Sequence, residues 1–143
     1  MLNFSISELI KSTTAQQHNI NNMPTDARTY DNMLILIAEC LQPIRDKLKK
    51  PMVITSGYRN ANLNYIVGGS DKSYHLKGQA VDFCVPNMTV ESVVEFIRNS
   101  GIAFTELIEE HGKAGCWVHI AYDKNNLCKA VKLYRNGKYE RVA

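Results

Sequence analysis

The longest amphipathic pattern in the chain lies between Asp26 and Lys49. Apolar residues recur there at steps of three and four positions: Met33, Leu34, Ile37, Leu41, Ile44 and Leu48. Steps of this length place side chains on one side of a helix, so the segment predicts a long helix with one buried face. Pro43 lies inside it and lacks a backbone donor, and we therefore expect the helix to be kinked or divided there.

Capping residues mark three shorter helices. Ser5 followed by Glu8 fits a capping box, in which each side chain bonds an unpaired backbone N–H. Asn60 and Thr89 are the candidate N-caps of the other two helices. The predicted helices run from about Ile6 to Ser12, from Ala61 to Val67 with Gly68-Gly69 as the stop, and from Thr89 to Gly101.

Short apolar runs bounded by turn residues predict strands, and Asn136-Gly137 is a strong signal for a two-residue hairpin turn. The predicted strands are Met52–Thr55, Ala80–Val85, Phe104–Glu109, Cys116–Ala121, Ala130–Tyr134 and Lys138–Val142. Because helices lead and strands follow, the order predicts a single α+β domain over residues 1–143, with a largely antiparallel sheet on which the N-terminal helices pack.

Composition and charge narrow the function classes. The 143 residues are 45% hydrophobic, which is too apolar for a disordered chain. The net charge is only +3, and the basic residues are scattered along the chain, so the charge does not predict a nucleic-acid-binding surface. No apolar run approaches the roughly 20 residues that span a bilayer. The first residues also lack the basic, apolar and small-residue segments that follow one another in a secretion signal. We expect a protein made in the cytoplasm without a signal peptide, with no nucleic acid partner and no membrane insertion.

The cysteines argue against a thiol-based metal or redox centre. They are Cys40, Cys84, Cys116 and Cys128, and none forms a C-x-x-C pair. A zinc finger or a thioredoxin-type centre therefore has no support. We expect mostly buried thiols in a reducing compartment, with a disulfide between Cys116 and Cys128 as the alternative.

The residues best suited to chemistry are two histidines and an aspartate from separate segments. His75 lies just before the second predicted strand, Asp82 lies within that strand, and His119 lies on a later one. Brought together, such side chains form a three-ligand zinc site that leaves one position open for water. A His–Asp hydrogen bond without a metal is the alternative interpretation of the same residues.

Hydrolysis at such a site also needs a group that takes a proton from the attacking water and passes it to the leaving amine. Glu106, Glu109 and Glu110 all precede His119 on the adjoining predicted strand. Spacing alone leaves the choice among these three carboxylates open.

Four motifs occur in order along the chain: SGYRN at 56–60, LN-x-x-VGG at 63–69, S-x-H-x-x-G-x-A-x-D at 73–82 and WVH at 117–119. Together they resemble the zinc D-alanyl-D-alanine carboxypeptidases and L-alanyl-D-glutamate endopeptidases that cut peptidoglycan stem peptides. The likeness is greatest to the short phage and prophage branch, whose F-x-x-x-E-L, S-x-T-A, I-x-N and L-x-P-I-R patterns also occur in the first 45 residues.

The resemblance implies a hedgehog/DD-peptidase-like fold and Zn²⁺ as the cofactor. Carried over position by position, it implies that His75, Asp82 and His119 are the zinc ligands. It implies that Arg59 holds substrate oxygens as a catalytic and substrate-binding residue, and that Ser73 binds substrate or orients His75.

One position departs from the family pattern. Many relatives carry the catalytic acid three residues before the last histidine, where this chain has Cys116. In the phage branch the acid ends the preceding strand in a pattern like L-I-x-E, which residues 107–110 match with Glu110 as the acid. The following turn, HGKAGC, is longer here than in that pattern, so Glu109 stays the alternative.

The implied function is hydrolysis of a peptide bond in peptidoglycan stem peptides by a phage or prophage lysin. Such a protein acts on the bacterial cell wall after release or phage delivery, and we expect it to be a monomer. The alternative is a zinc-containing module of the same fold that binds peptide or cell wall without cutting it. The missing acid at Cys116 is the feature that favours this alternative.

Overall fold

The computed structural model describes residues 2–143. The fold is built around one six-stranded sheet. Its strands are β1 (Val53–Ser56), β2 (Ala80–Cys84), β3 (Glu106–Gly112), β4 (Gly115–Ala121), β5 (Ala130–Arg135) and β6 (Lys138–Arg141). The spatial order is β1-β2-β4-β3-β5-β6, and every neighbouring pair is antiparallel except β3 with β5. The predicted α+β fold with a largely antiparallel sheet is confirmed.

The helices are short, and most precede the sheet strands in the chain. They are α1 (Ile6–Ile10), α2 (Thr13–Gln17), α3 (Ala27–Leu36), α4 (Gln42–Leu48), α5 (Ala61–Ile66) and α6 (Val90–Arg98). The predicted helix to Ser12 is wrong at its end, because Ser12 is the N-cap of α2, where its side chain accepts from the N–H of Ala15. Within the described part of the chain, none of these helices has the length and apolarity needed to cross a membrane.

The long predicted helix is divided ahead of Pro43. A π-helical segment, Ile37–Leu41, joins α3 to α4, and the N–H of Gln42 donates to the carbonyl of Ile37. In an α-helix the ring of Pro43 would meet the carbonyl of the residue four positions earlier. The wider π turn relieves this clash, so the helix continues past the proline.

The hairpin between β3 and β4 is tighter than predicted. β3 extends to Gly112, which pairs with Gly115, so that only Lys113 and Ala114 form the turn. The interpretation of HGKAGC as a long turn is therefore wrong, and His111 lies in a strand. The extra residues lengthen the two strands, because each added residue finds a cross-strand partner.

Alternation along the strands separates the core from the opposite face of the sheet. Val81 and Phe83 of β2 are fully buried in the hydrophobic core, together with residues of α3, α4 and α6. Asp82 lies between them, so its side chain points to the other face of the sheet. Cys40 is buried in the same core, but Cys116 and Cys128 are exposed and all four thiols are free, which corrects the expectation of mostly buried thiols.

Candidate active site

The structure brings His75, Asp82 and His119 into one buried group. Their potential ligand atoms all lie within 4.8 Å of one another. His75 comes from a short 3-10 helix, Tyr74–Lys77, whereas Asp82 and His119 face each other as a cross-strand pair of β2 and β4. Three elements distant in the sequence therefore converge above the face of the sheet that does not carry the core.

In each imidazole one nitrogen faces Asp82 and the other is hydrogen-bonded to a second oxygen of the protein. His75 donates from Nδ1 to the carbonyl of Gly57 at 2.7 Å, which leaves Nε2 3.3 Å from Asp82 Oδ1. His119 Nε2 lies 2.9 Å from Glu106 Oε1, and its Nδ1 lies 3.1 Å from the same Asp82 oxygen. Two ring nitrogens and one carboxylate oxygen thus converge, a donor set that suits a divalent transition metal.

The charges of this group are strongly coupled. Burial raises the pKa of Asp82, but His75 and His119 outweigh it and hold that pKa well below its usual range. Burial lowers the pKa of His119, yet the hydrogen bonds to Asp82 and Glu106 raise it overall to about 10. For His75 burial dominates and lowers the pKa. The hydrogen bonds to Asp82 and Glu106 thus favour the charged form of His119.

Glu110 is the carboxylate of β3 that extends toward this group on the same face of the sheet. Its Oε2 accepts from the indole N–H of Trp117 at 2.9 Å, and its Oε1 lies 3.9 Å from His119 Nδ1. Burial, followed by the charge of Asp82, raises the pKa of Glu110. A carboxyl group with a raised pKa beside a metal-binding group is suited to accept and return a proton.

Glu109 points to the opposite face of the sheet. Its Oε2 lies 2.6 Å from His111 Nε2 and 3.8 Å from the guanidinium of Arg135. The structure therefore brings Glu110 to the candidate ligands and does not bring Glu109 there, because successive strand residues face opposite ways.

Arg59 is held in the same cleft by three polar groups. Its Nε donates to Ser56 Oγ at 3.3 Å, one terminal nitrogen donates to Asn64 Oδ1 at 3.0 Å, and the other lies 3.7 Å from Asp82 Oδ2. The planar guanidinium is thus oriented before any ligand arrives, which suits binding of a carbonyl or carboxylate oxygen.

The second glycine of the LN-x-x-VGG motif makes room for this arrangement. A Cβ at Gly69 would lie 2.1 Å from Asn64 Oδ1 and 2.7 Å from Arg59 Nη1. A side chain there would displace the asparagine that holds Arg59. Helix termination alone therefore does not account for Gly69, and Asn64 is a supporting residue that the sequence interpretation missed although it lies within a quoted motif.

Ser73 caps the 3-10 helix that carries His75. Its hydroxyl accepts from the backbone N–H of His75 at 3.2 Å, and the residue also lines the cleft. The contact fixes the start of the helix and so the position of His75.

The group opens into a cleft of about 860 Å³. Part of its lining is a row of side chains on adjacent strands: Trp117, Glu110, Tyr134 and Tyr139 occupy paired positions on β4, β3, β5 and β6. The rings of Tyr134 and Tyr139 have centroids 4.6 Å apart. Sequence interpretation missed both tyrosines, although a two-residue turn at Asn136-Gly137 places them opposite each other.

Comparison with known proteins identifies the family of the chain. No curated protein matches the chain. A family model described as Peptidase M15 matches residues 2–121, which include Arg59, Glu110 and the three candidate ligands. The match covers most of the chain and ends before β5. The chain belongs to the Peptidase M15 family.

Proposed function

We propose that the protein is a zinc metallopeptidase that hydrolyses a peptide bond in peptidoglycan stem peptides. The observation that carries the proposal is the convergence of His75, Asp82 and His119, with Glu110 Oε1 3.9 Å from His119 Nδ1. Family membership supports peptide hydrolysis, and the motif resemblance supports the D-Ala-D-Ala carboxypeptidase or L-Ala-D-Glu endopeptidase type.

The donor set favours zinc. His75 Nε2, Asp82 Oδ1 and His119 Nδ1 would hold the ion, and three protein ligands are typical of catalytic zinc sites. When bound, zinc supplies an acidified water molecule, with a pKa of about 7, and polarises the substrate carbonyl.

The remaining steps belong to residues of this chain. Glu110 takes the proton of the attacking water at Oε1 and returns it to the leaving amine, while Trp117 holds its other oxygen at 2.9 Å. Arg59 donates to the substrate oxygen, on which negative charge develops as the carbonyl becomes tetrahedral. Its bonds to Ser56 and Asn64 keep the guanidinium in place during this change.

We assign the protein to the cell-wall lysins of phages and prophages on the strength of the motif resemblance. Its target would be the wall of a bacterium, reached after release or phage delivery, and the chain would act as a monomer. The positions of Ser73 and Arg59 at the cleft make both of them candidates for substrate contacts.

Digestion of purified peptidoglycan tests the proposal. The zinc-loaded protein, the protein stripped with a chelator, and the Glu110→Gln variant are incubated with sacculi, and released amino groups and fragments are measured by mass spectrometry. We expect zinc-dependent cleavage of one stem-peptide bond, lost in the variant, and the fragment masses identify that bond. Binding to sacculi without cleavage would instead establish the non-catalytic module, and a wild-type protein that binds no zinc would overturn the proposal.

A further inference from the structure

We infer that Glu106 and Lys132 form a positioning pair that orients His119 for metal binding; this inference rests on the proposed zinc site. Glu106 begins β3 and Lys132 lies in β5, the strand that runs parallel to it. Neither residue belongs to the group of candidate ligands, and Lys132 lies beyond residues 2–121, which match the family.

The two oxygens of Glu106 serve different partners. Oε1 lies 2.9 Å from His119 Nε2, and Oε2 accepts from the ammonium of Lys132 at 2.9 Å. The side chains of Glu106 and Lys132 are 18% and 31% exposed. Because both oxygens are engaged in partly shielded surroundings, the carboxylate has a fixed plane and a fixed direction toward the imidazole.

This contact decides which nitrogen of His119 faces the metal position. Both nitrogens of His119 face carboxylate oxygens, which only accept, so each nitrogen can donate. A metal held together with Asp82 would take the place of the hydrogen on Nδ1 and would leave the N–H of Nε2 donating to Glu106. An imidazole ligand whose second nitrogen donates to a carboxylate is held in both tautomer and orientation.

The two histidines differ in what holds them. His75 donates to the backbone carbonyl of Gly57, a partner that side-chain substitution does not remove. His119 depends on the side chain of Glu106, and Glu106 depends in turn on Lys132. The orientation of His119 is therefore the part of the metal centre most open to substitutions outside the ligands.

Lys132 also prevents Glu106 from acting as a competing ligand. Without the ammonium, Oε2 would lose its only hydrogen-bond donor among the described residues and could turn with the rest of the carboxylate toward the cleft. The lysine thus keeps Glu106 beside the imidazole, and a strand outside the family match contributes to the geometry of the site.

Metal binding by single variants tests the pair. Zinc dissociation constants are measured by competition with a chromophoric chelator for wild type, Glu106→Leu, Glu106→Gln, Lys132→Met and the matched control Glu109→Leu, which alters the opposite face of β3. We expect Glu106→Leu to bind zinc about 10–100-fold more weakly. Glu106→Gln should show a smaller loss, because an acceptor oxygen remains beside His119. Lys132→Met should also show a smaller loss, because Glu106 stays present but is no longer held in place, and Glu109→Leu should show none.

Two spectroscopic measurements separate positioning from general damage to the fold. The visible spectrum of the Co²⁺-loaded protein should change in Glu106→Leu and not in Glu109→Leu. In zinc-loaded wild type, ¹⁵N spectra of the histidines should show a hydrogen on Nε2 of His119. Should Glu106→Leu destabilise the fold, Glu106→Gln provides the same comparison with a smaller expected loss.

The results distinguish failure of the inference from failure of the proposed function. Unchanged zinc affinity and Co²⁺ spectra in Glu106→Leu and Glu106→Gln, or a hydrogen on Nδ1 of His119, would overturn the positioning role even in a fully active peptidase. A wild-type protein that binds zinc and cleaves nothing, with weakened binding in the Glu106 variants, would overturn only the proposed function. A wild-type protein that binds no zinc would overturn both.

Discussion

Both faces of β3 carry glutamates that lie close to a histidine, but only one face carries the candidate active site. On the cleft face, Glu106 and Glu110 surround His119; on the other, Glu109 contacts His111 at 2.6 Å. The latter pair, with Glu91, also offers ligand atoms that lie within 4.8 Å of one another. Residue type and distance alone would therefore nominate both clusters as metal sites.

Burial separates the two clusters. On the second face, the side chain of Glu91 is 55% exposed and the guanidinium of Arg135 lies 3.8 Å from Glu109. Water screens the charges of that cluster. His75, Asp82 and His119 are buried. The comparison teaches that burial, rather than residue type or distance, distinguishes the candidate metal site from a partly exposed cluster of the same residue types.

Removing a candidate ligand should have the largest effect. We expect His75→Ala and Asp82→Ala to lose bound zinc, because two remaining ligands do not hold the ion firmly. His111→Ala, from the second cluster, should retain it. Zinc per chain, measured by atomic spectroscopy after gel filtration, checks this. Zinc retained by both ligand variants, or lost from His111→Ala, would reverse the assignment of the two faces.

Exchanging the two neighbouring glutamates for glutamine should separate catalysis from structure. We expect Glu110→Gln to keep zinc but lose about 10²–10⁴-fold in kcat, the usual contribution of a general acid–base group. Glu109→Gln should retain the wild-type rate, since its carboxylate lies on the other face. Steady-state kinetics on a soluble stem peptide measures both. An active Glu110→Gln protein would return the proton-transfer role to another group.

The charge of His119 predicts how the metal-free protein responds to pH. Its pKa is raised to about 10, so its contribution to the free energy of unfolding is present below the ordinary value of about 6.5 and is lost as pH rises through 10. NMR titration of the metal-free protein should show His119 charged at pH 8. Asp82→Asn should lower this midpoint, since it removes a hydrogen-bonded negative charge. A midpoint near 6.5 in wild type would contradict the coupling.

A substitution in the second cluster should have the smallest effect. Arg135→Gln removes a partner of Glu109 whose own side chain is 54% exposed. We expect the free energy of unfolding to fall by less than about 1 kcal/mol, as for other exposed ion pairs. Urea unfolding measures the change, and zinc affinity should stay at the wild-type value. A larger loss, or weaker zinc binding, would show that the two faces are coupled.

The sequence by itself was sufficient for most of the elements, although not for α2, and for the residues worth testing. Periodicity predicted the helix that contains Pro43, because one-sided burial leaves a repeat of about 3.6 residues in the chain, and short apolar runs bounded by turn residues predicted the strands. The resemblance of the motifs to a zinc peptidase family pointed to His75, Asp82 and His119, whose residue types suit a metal ion. The repeat continues through Ile37 and Leu41, so it does not reveal the π-helical segment at 37–41, which only the structure shows.

Only the tertiary structure decided which carboxylate faces which partner. Glu106, Glu109 and Glu110 lie within five residues of one another, and a shift of one residue in strand register would exchange their faces. Register depends on the partner strands: pairing of Glu110 with Trp117 places Glu110 toward His119. The bonds from Glu106 to His119 and Lys132 likewise join three strands. Such contacts depend on the order and register of the strands, and a local sequence pattern does not determine either of them.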